Sequence, residues 1–210
     1  MPTYSGVQLT TERLQLCPLV RGDEVRLFEI HSNPEFMRYW SSPPWTTIEQ
    51  AVALIDKDQD EMAQGKNIRL GILLRETKQL IGTCTLFKID QQCRRAELGY
   101  GIAQEYWRNG FMTEAVSALL KLGFTELNLN RIEADIDPRN TASGRSLEKL
   151  GFLREGVLRE RWIVGNEVSD SALYGLLVKD WNASQKAEAA EIFNREDVLK
   201  NASHLKRLAP

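Results

Sequence analysis

RAELGYGIAQEYWRNGFMTEA, Arg95 to Ala115, changes its period within one short run. From Arg95 to Ile102 the residues alternate as in a strand, placing Ala96, Leu98, Tyr100 and Ile102 on one face and Glu97, Gly99 and Gly101 on the other. From Phe111 the spacing becomes helical: Phe111, Ala115, Leu119 and Leu122 share a line with Val116 and Leu120 beside it, a stripe broad enough to lie on a sheet. Between them Gly110 permits dihedrals that other residues resist, and the backbone N–H groups of Arg108, Asn109, Gly110, Phe111, Met112 and Thr113 stand at the positive end of the helix. Such a turn suits an anion, a pyrophosphate in particular, although a glycine before a helix is also a common plain turn.

Outward from this centre the chain alternates strand-like and helix-like runs. Gln8 to Leu16 reads as a first strand, Arg21 to His31 as a helix with Val25, Leu27 and Phe28 inward, and Thr47 to Met62 as a helix with Ile48, Val52 and Ile55 on one side. Ile68 to Leu74, Leu80 to Lys88 and Arg95 to Ile102 read as antiparallel strands. Arg131 to Asp137 follows as a strand, Thr141 to Leu150 as a short helix stopped by Gly151, and Leu158 to Val164 with Val168 to Val178 as a hairpin about Gly165-Asn166. The expected fold is α+β: a single mixed, largely antiparallel sheet of about seven strands flanked by helices. One domain is expected over residues 1–181, with 182–210 a polar, Ala-rich helix or tail.

Composition narrows the function. With 27 Lys+Arg against 29 Asp+Glu the net charge is −2, which supplies no basic field for nucleic acid or an anionic membrane. Nowhere do about 18 apolar residues run together, and the first residues lack a basic region followed by an apolar run, so a cytoplasmic chain is expected. Cys17, Cys84 and Cys93 lie apart, without metal-ligand spacing, and the only histidines are His31 and His204, so neither a metal site nor a His-based mechanism is expected. GxGxxG and GxxxxGK[ST] are absent.

Three features remain as candidate chemistry. Two glycines weaken a strand, so Gly99 and Gly101 suggest that something approaches the backbone closely, with the Glu97 carboxylate beside it as a base. A solvent face on which Glu97 pairs with Arg94 or Arg95 is the alternative. Asn140, between a strand and a helix in DPRNTAS (Asp137 to Ser143), suits either a helix cap or a hydrogen bond to an amide-bearing ligand, and Ser143 lies one turn on.

YWRNGFMTEA followed by DPRNTASGRSLEKLGF, behind AELGYGI, resembles the GNAT acetyltransferases. The amino-terminal LTTERLQL is similar to the branch containing the ribosomal-protein alanine and serine N-acetyltransferases. The resemblance covers roughly residues 8–180 and implies a sheet splayed between its central strands. It implies acetyl-CoA as co-substrate, without a metal, the pyrophosphate on Arg108 to Thr113 and the pantetheine along Leu98, Tyr100 and Ile102. Of the family's [QR]xxGx[GA] loop, Gly110 matches while Trp107 and Met112 depart. Asn140 matches a pantetheine-binding asparagine, Glu97 a general base, and Ser143 a serine near the thioester. The tyrosine that many members use to protonate the CoA thiolate falls on Leu147, and a carboxylate of the branch falls on Trp162, which leaves Ser143 or water as the acid.

The resemblance implies direct transfer of acetyl to a primary amine, without an acyl-enzyme. A protein N-terminal α-amine is the favoured acceptor, with a polyamine, antibiotic or amino acid as the rival and a non-catalytic acyl-CoA-binding protein behind both. Trp40, Trp45 and Trp162, with Pro43 and Pro44, are candidates to wall the acceptor site, although tryptophans equally serve a core. Self-association is left open.

Overall fold

The computed structural model describes residues 3–187. The expected tail from 188 onward lies outside the described residues; 178–187 continue as a helix whose Trp181 ring packs 5.3 Å from that of Phe124. The elements are β1 (Leu9–Thr10), β2 (Leu14–Pro18), α1 (Glu24–Ser32), α2 (Pro34–Met37), α3 (Glu49–Ala63), β3 (Ile68–Leu74), β4 (Leu80–Asp90) and β5 (Arg95–Ile102). After a 3-10 turn come α4 (Phe111–Thr125), β6 (Arg131–Ile136), α5 (Thr141–Lys149), β7 (Leu153–Val164) and β8 (Glu167–Leu177).

The strands form one 8-stranded sheet in the order β1-β2-β3-β4-β5-β6-β8-β7. The count exceeds the expected seven because the first expected strand folds back on itself. Thr11 accepts the Leu14 N–H at its hydroxyl, 3.0 Å, and donates its own N–H to Leu14 O, so β1 returns antiparallel to β2. All neighbours pair antiparallel except β5 and β6, which run parallel over only Arg95–Glu97 and Arg131–Glu133. Beyond Glu97 the two strands part.

The alternation in β3, β4 and β5 divides the sheet into two faces. Toward α4, Ile68, Leu70, Ile72, Leu86, Ala96 and Leu98 meet Ala115, Val116, Leu119 and Leu120 in the main core. Each large apolar side chain buried there contributes about 1.5–3 kcal/mol. Gly123 brings α4 close to the sheet: a Cβ there would stand 3.0 Å from Ile132 and 3.3 Å from both Leu129 and Leu86, a tight fit. The opposite face is covered by α1 and α3 through Leu19, Leu27, Ala51, Ile55 and Leu80.

Two helical faces differ from the simple apolar stripe. In α1 Leu27, Ile30 and His31 are buried while Val25 is 55% exposed. The inward line of α3 is Ala51, Ile55, Asp58 and Met62, and Ile48 precedes the helix, 36% exposed. Asp58 turns inward because Arg69 of β3 meets it, Nε to Oδ2 2.7 Å. Among the described residues no helix is long and apolar enough to cross a membrane.

Candidate active site

At Arg108 to Thr113 the chain leaves the 3-10 turn and enters α4 with two left-handed residues, Arg108 at φ +62° and Gly110 at +78°. Left-handed φ costs glycine little but strains Arg108. Alternation of hand curls successive N–H groups inward, the geometry of an anion nest. The first N–H of this stretch to find a carbonyl is that of Glu114, on Gly110 O at 3.1 Å; among the described residues none from Arg108 to Thr113 has a hydrogen-bond acceptor. The turn is therefore a set of uncommitted donors at a helix N-terminus, and it fits a pyrophosphate.

A clamp that the sequence did not disclose holds this turn. The Arg13 guanidinium donates to Asn109 O at 2.9 Å and to Glu114 Oε2 at 2.7 Å, and lies 4.4 Å over the Phe111 ring. Glu114 also accepts the Thr11 hydroxyl at 2.6 Å and the Arg13 backbone N–H at 2.8 Å. Burial raises the Glu114 carboxyl, but the hydrogen bonds from Thr11 and Arg13 outweigh it and hold the group below its ordinary value.

Along β5 the Gly101 carbonyl lies against Gly82 of β4, so backbone alternation turns the groups of Leu98, Tyr100 and Ile102 toward the side from which β6 has departed. The Ile102 carbonyl is taken by the Trp107 indole N–H at 2.6 Å. The splayed edge opens on a cleft of about 760 Å³ between the sheet and the α2–α3 segment. Its lining includes Glu97, Tyr100, Asn140, Ser143, Trp40 and Trp162 but not the Arg108 to Thr113 turn or Trp45. Trp45 instead stacks on the buried His31 ring, centroids 4.2 Å apart, which places it in the packing of α1 and α3.

Glu97 pairs with neither Arg94 nor Arg95. Both of its oxygens accept from Lys88 Nζ, at 2.9 and 3.0 Å. In a regular strand Lys88 would point away from the face of its neighbour Phe87; a register shift after Phe87 and a φ of +50° at Lys88 turn it to the Glu97 side. The glycines beside Glu97 are also explained by the protein itself. A Cβ on Gly101 would stand 2.6 Å from the Phe36 ring and 2.9 Å from that of Trp40, and one on Gly99 would be 3.1 Å from the Thr85 methyl. The close approach inferred from the sequence is thus an aromatic layer on the sheet, with Trp40 stacked on Phe36 at 5.4 Å.

Asn140 caps α5, its Oδ1 accepting the Ser143 N–H at 3.1 Å. Ser143 Oγ in turn lies 2.7 Å from the Tyr100 hydroxyl, a contact spanning the gap between β5 and α5 on the face opposite Glu97. Burial pushes the Tyr100 phenol up to about 12, with the Ser143 hydrogen bond acting against it. Both hydroxyls therefore remain protonated near neutrality. Leu147 is fully buried and Trp162 donates its indole N–H to Ser171 Oγ at 3.0 Å. The Cys84 thiol, fully buried, is pushed up to about 12 and offers no nucleophile. Among the described residues no group of three or more His, Cys, Asp and Glu is arranged to hold a metal ion.

Comparison with known proteins identifies the family. A family model described as an acetyltransferase (GNAT) domain matches residues 13–153. The N-acetyltransferase p20 of Bacillus licheniformis is 39% identical over 173 residues, 82% of this chain and 97% of that one. YdaF of Bacillus subtilis, whose name proposes a ribosomal N-acetyltransferase, is 36% identical over 106 residues, 50% of this chain and 58% of that one. The spermidine N-acetyltransferase of Vibrio cholerae, solved with CoA and spermine, superposes with a TM-score of 0.73 at 26% identity, covering 81% of this chain and 99% of that one. The chain belongs to the GNAT acetyltransferases, and it is an acetyl-CoA-dependent N-acetyltransferase.

Proposed function

We propose that the chain acetylates an α-amine, as at a peptide or protein N-terminus, in preference to a polyamine. The observation that supports this is the charge balance of the cleft. Asp58 is bridged by Arg69, Glu61 by Lys57, Glu97 by Lys88, Asp135 by Arg161, and Asp137 and Glu167 by Arg139. A polycation entering the cleft would have to break these pairs one after another to find an anion. A single amine needs only one.

In this reading acetyl-CoA supplies the acetyl group as a thioester. The N–H groups from Arg108 to Thr113 hold its pyrophosphate, and the freed edge of Leu98 and Tyr100, with the Ile102 N–H, hydrogen-bonds its pantetheine. Asn140, engaged as a cap through Oδ1, retains its amide N–H groups for the same chain. Glu97 takes the proton from the amine. An α-amine of pKa ~7.7–8.0, partly neutral already, asks less of such a base than a lysine near ~10.4. A backbone N–H on the splayed edge of β5 meets the negative charge that develops on the acetyl oxygen. On the other face Ser143, backed by Tyr100, donates a hydrogen bond to the departing sulfur. A thiolate with a conjugate acid near ~8.5 needs no stronger acid than that.

The test is a panel of short peptides with free α-amines beside spermidine, with release of free CoA thiol as the readout. Transfer to peptides at a higher kcat/KM than to spermidine is expected. A preference for spermidine refutes the reading.

A further inference from the structure

On the face of the sheet that carries Glu97, a second group of polar side chains borders the cleft and takes no part in the scheme above. Arg69 lies opposite Thr85 in the β3–β4 register, and Thr85 lies opposite Gly99 in the β4–β5 register, so the three form one row across the sheet. Arg69 faces Asp58 as an ion pair, Nε to Oδ2 2.7 Å, that lacks hydrogen-bond geometry, and among the described residues its terminal nitrogens have no partner. Asn67, 5% exposed, is fixed by donating Nδ2–H to Glu61 at 2.5 Å and to Asp58 at 3.4 Å, which leaves its Oδ1 without a donor. Thr85, 4% exposed, has a hydroxyl with no partner. All four residues, Asp58, Asn67, Arg69 and Thr85, line the cleft. Unpaired polar groups in a protein interior are costly, each about 1–3 kcal/mol, and call for a ligand.

The donors and acceptor define that ligand. A guanidinium with its terminal fork free matches a carboxylate, a neighbouring hydroxyl adds a donor, and an amide oxygen takes an N–H. Asp58 balances the charge of Arg69 without occupying the fork, which remains a directional pair of donors for one carboxylate. We infer that Arg69, with Thr85 and Asn67, binds a carboxylate carried by the acceptor, so that the preferred substrate is an amine with a carboxylate several bonds from its nitrogen. Adjacent strands are ~4.7–4.9 Å apart, which sets the Arg69 and Gly99 backbones about 10 Å apart. An α-amino acid, with one carbon between its amine and its carboxylate, spans less than that separation. A dipeptide through its terminal carboxylate, or a longer N-terminus through an acidic second residue, is long enough. The inference rests on the acetyl-acceptor reading of the cleft, and it adds the chemistry of the group beside the amine.

The experiment compares glycylglycine, glycylglutamic acid α-amide and glycylglutamine amide, which carry a terminal, a side-chain and no carboxylate. Each is measured for turnover with acetyl-CoA and for calorimetric binding to the enzyme–CoA complex. In the wild type at least one carboxylate-bearing peptide is expected to exceed glycylglutamine amide by roughly 10-fold or more, as for a charged hydrogen bond. Which peptide does so identifies the source of the carboxylate. In Arg69→Gln combined with Asp58→Asn, which avoids an unpaired buried charge, the ratio falls to about one; in Thr85→Val, which leaves the ion pair intact, it falls part of the way. Should the double variant not fold, Arg69→Lys, which keeps the charge and loses the fork, carries the same test. A wild-type ratio near one, or a ratio unchanged in the folded variants, overturns the subsite. Arg69-dependent carboxylate binding without acetyl transfer to any amine would support the subsite and overturn the acceptor reading instead.

Discussion

Replacing Arg13 by methionine keeps an aliphatic stem over Phe111 and removes the guanidinium that ties the Arg108 to Thr113 turn, the proposed pyrophosphate site, to the amino-terminal hairpin. The Arg13 side chain is 44% exposed, so its pair with Glu114 is screened and contributes no more than about 1 kcal/mol. The bond to Asn109 O adds about 1 kcal/mol. A loss of about 1–2 kcal/mol corresponds to a melting shift of roughly 2–8 °C in a chain of this size. The larger expected effect is on the cofactor. Arg108 holds φ +62°, a conformation costing roughly 1–2 kcal/mol, and a released turn relaxes from it. Binding must then restore it, so the Kd for CoA rises about 5–30-fold. Calorimetry with CoA and a melting curve separate the two effects. The advantage of the wild type also depends on pH. Because Glu114 is held below its unfolded value, its contribution is complete above about 4.3 and disappears as pH falls through the lower folded value. A folded Arg13→Met protein with wild-type CoA affinity refutes the reasoning and shows that the turn keeps its shape unaided.

Glu97→Gln retains shape and removes the proton acceptor, so CoA affinity should hold while turnover near pH 7 falls about 10²–10⁴-fold, with the defect shrinking at high pH as free amine accumulates. Wild-type turnover at pH 7 would take Glu97 out of the mechanism. His31 supplies a separate acid-sensitive element. Burial holds its imidazole down to about 4, against the Leu27 carbonyl hydrogen bond, so neutral His31 stabilises fully above about 6.5 and the benefit is lost as pH falls toward 4. The loss amounts to about 3 kcal/mol, and His31→Phe should flatten that part of the melting profile; an equal slope in both proteins contradicts it.

The features readable from sequence are those encoded by neighbours in the chain. The alternation of Arg95 to Ile102 and the helical stripe from Phe111 are local patterns, and the structure has β5 and α4 starting at those residues. Gly110 could be read as left-handed for the same reason. Three contacts could not. Arg13 reaches Glu114 across 101 positions of sequence. Lys88 reaches Glu97 only because a bulge and a positive φ cancel the strand period that a sequence reader must assume. Asp58 is a charge on the buried line of α3, a position that hydrophobic periodicity discounts until Arg69 is known to face it. Gly99 and Gly101 were legible as places of close approach, but a single strand does not say what approaches.

The ring of Phe36 resting on bare backbone at Gly101 has a bearing on how this enzyme can diverge. Any side chain at Gly101 would collide with Phe36 and Trp40, so the outline of β5 there is fixed by a different part of the chain. Phe36 and Trp40 also border the cleft, with Met37, Arg38 and Tyr39 beside them. A larger residue at Gly101 therefore requires smaller rings at Phe36 and Trp40 in the same step, so these three positions change together or not at all.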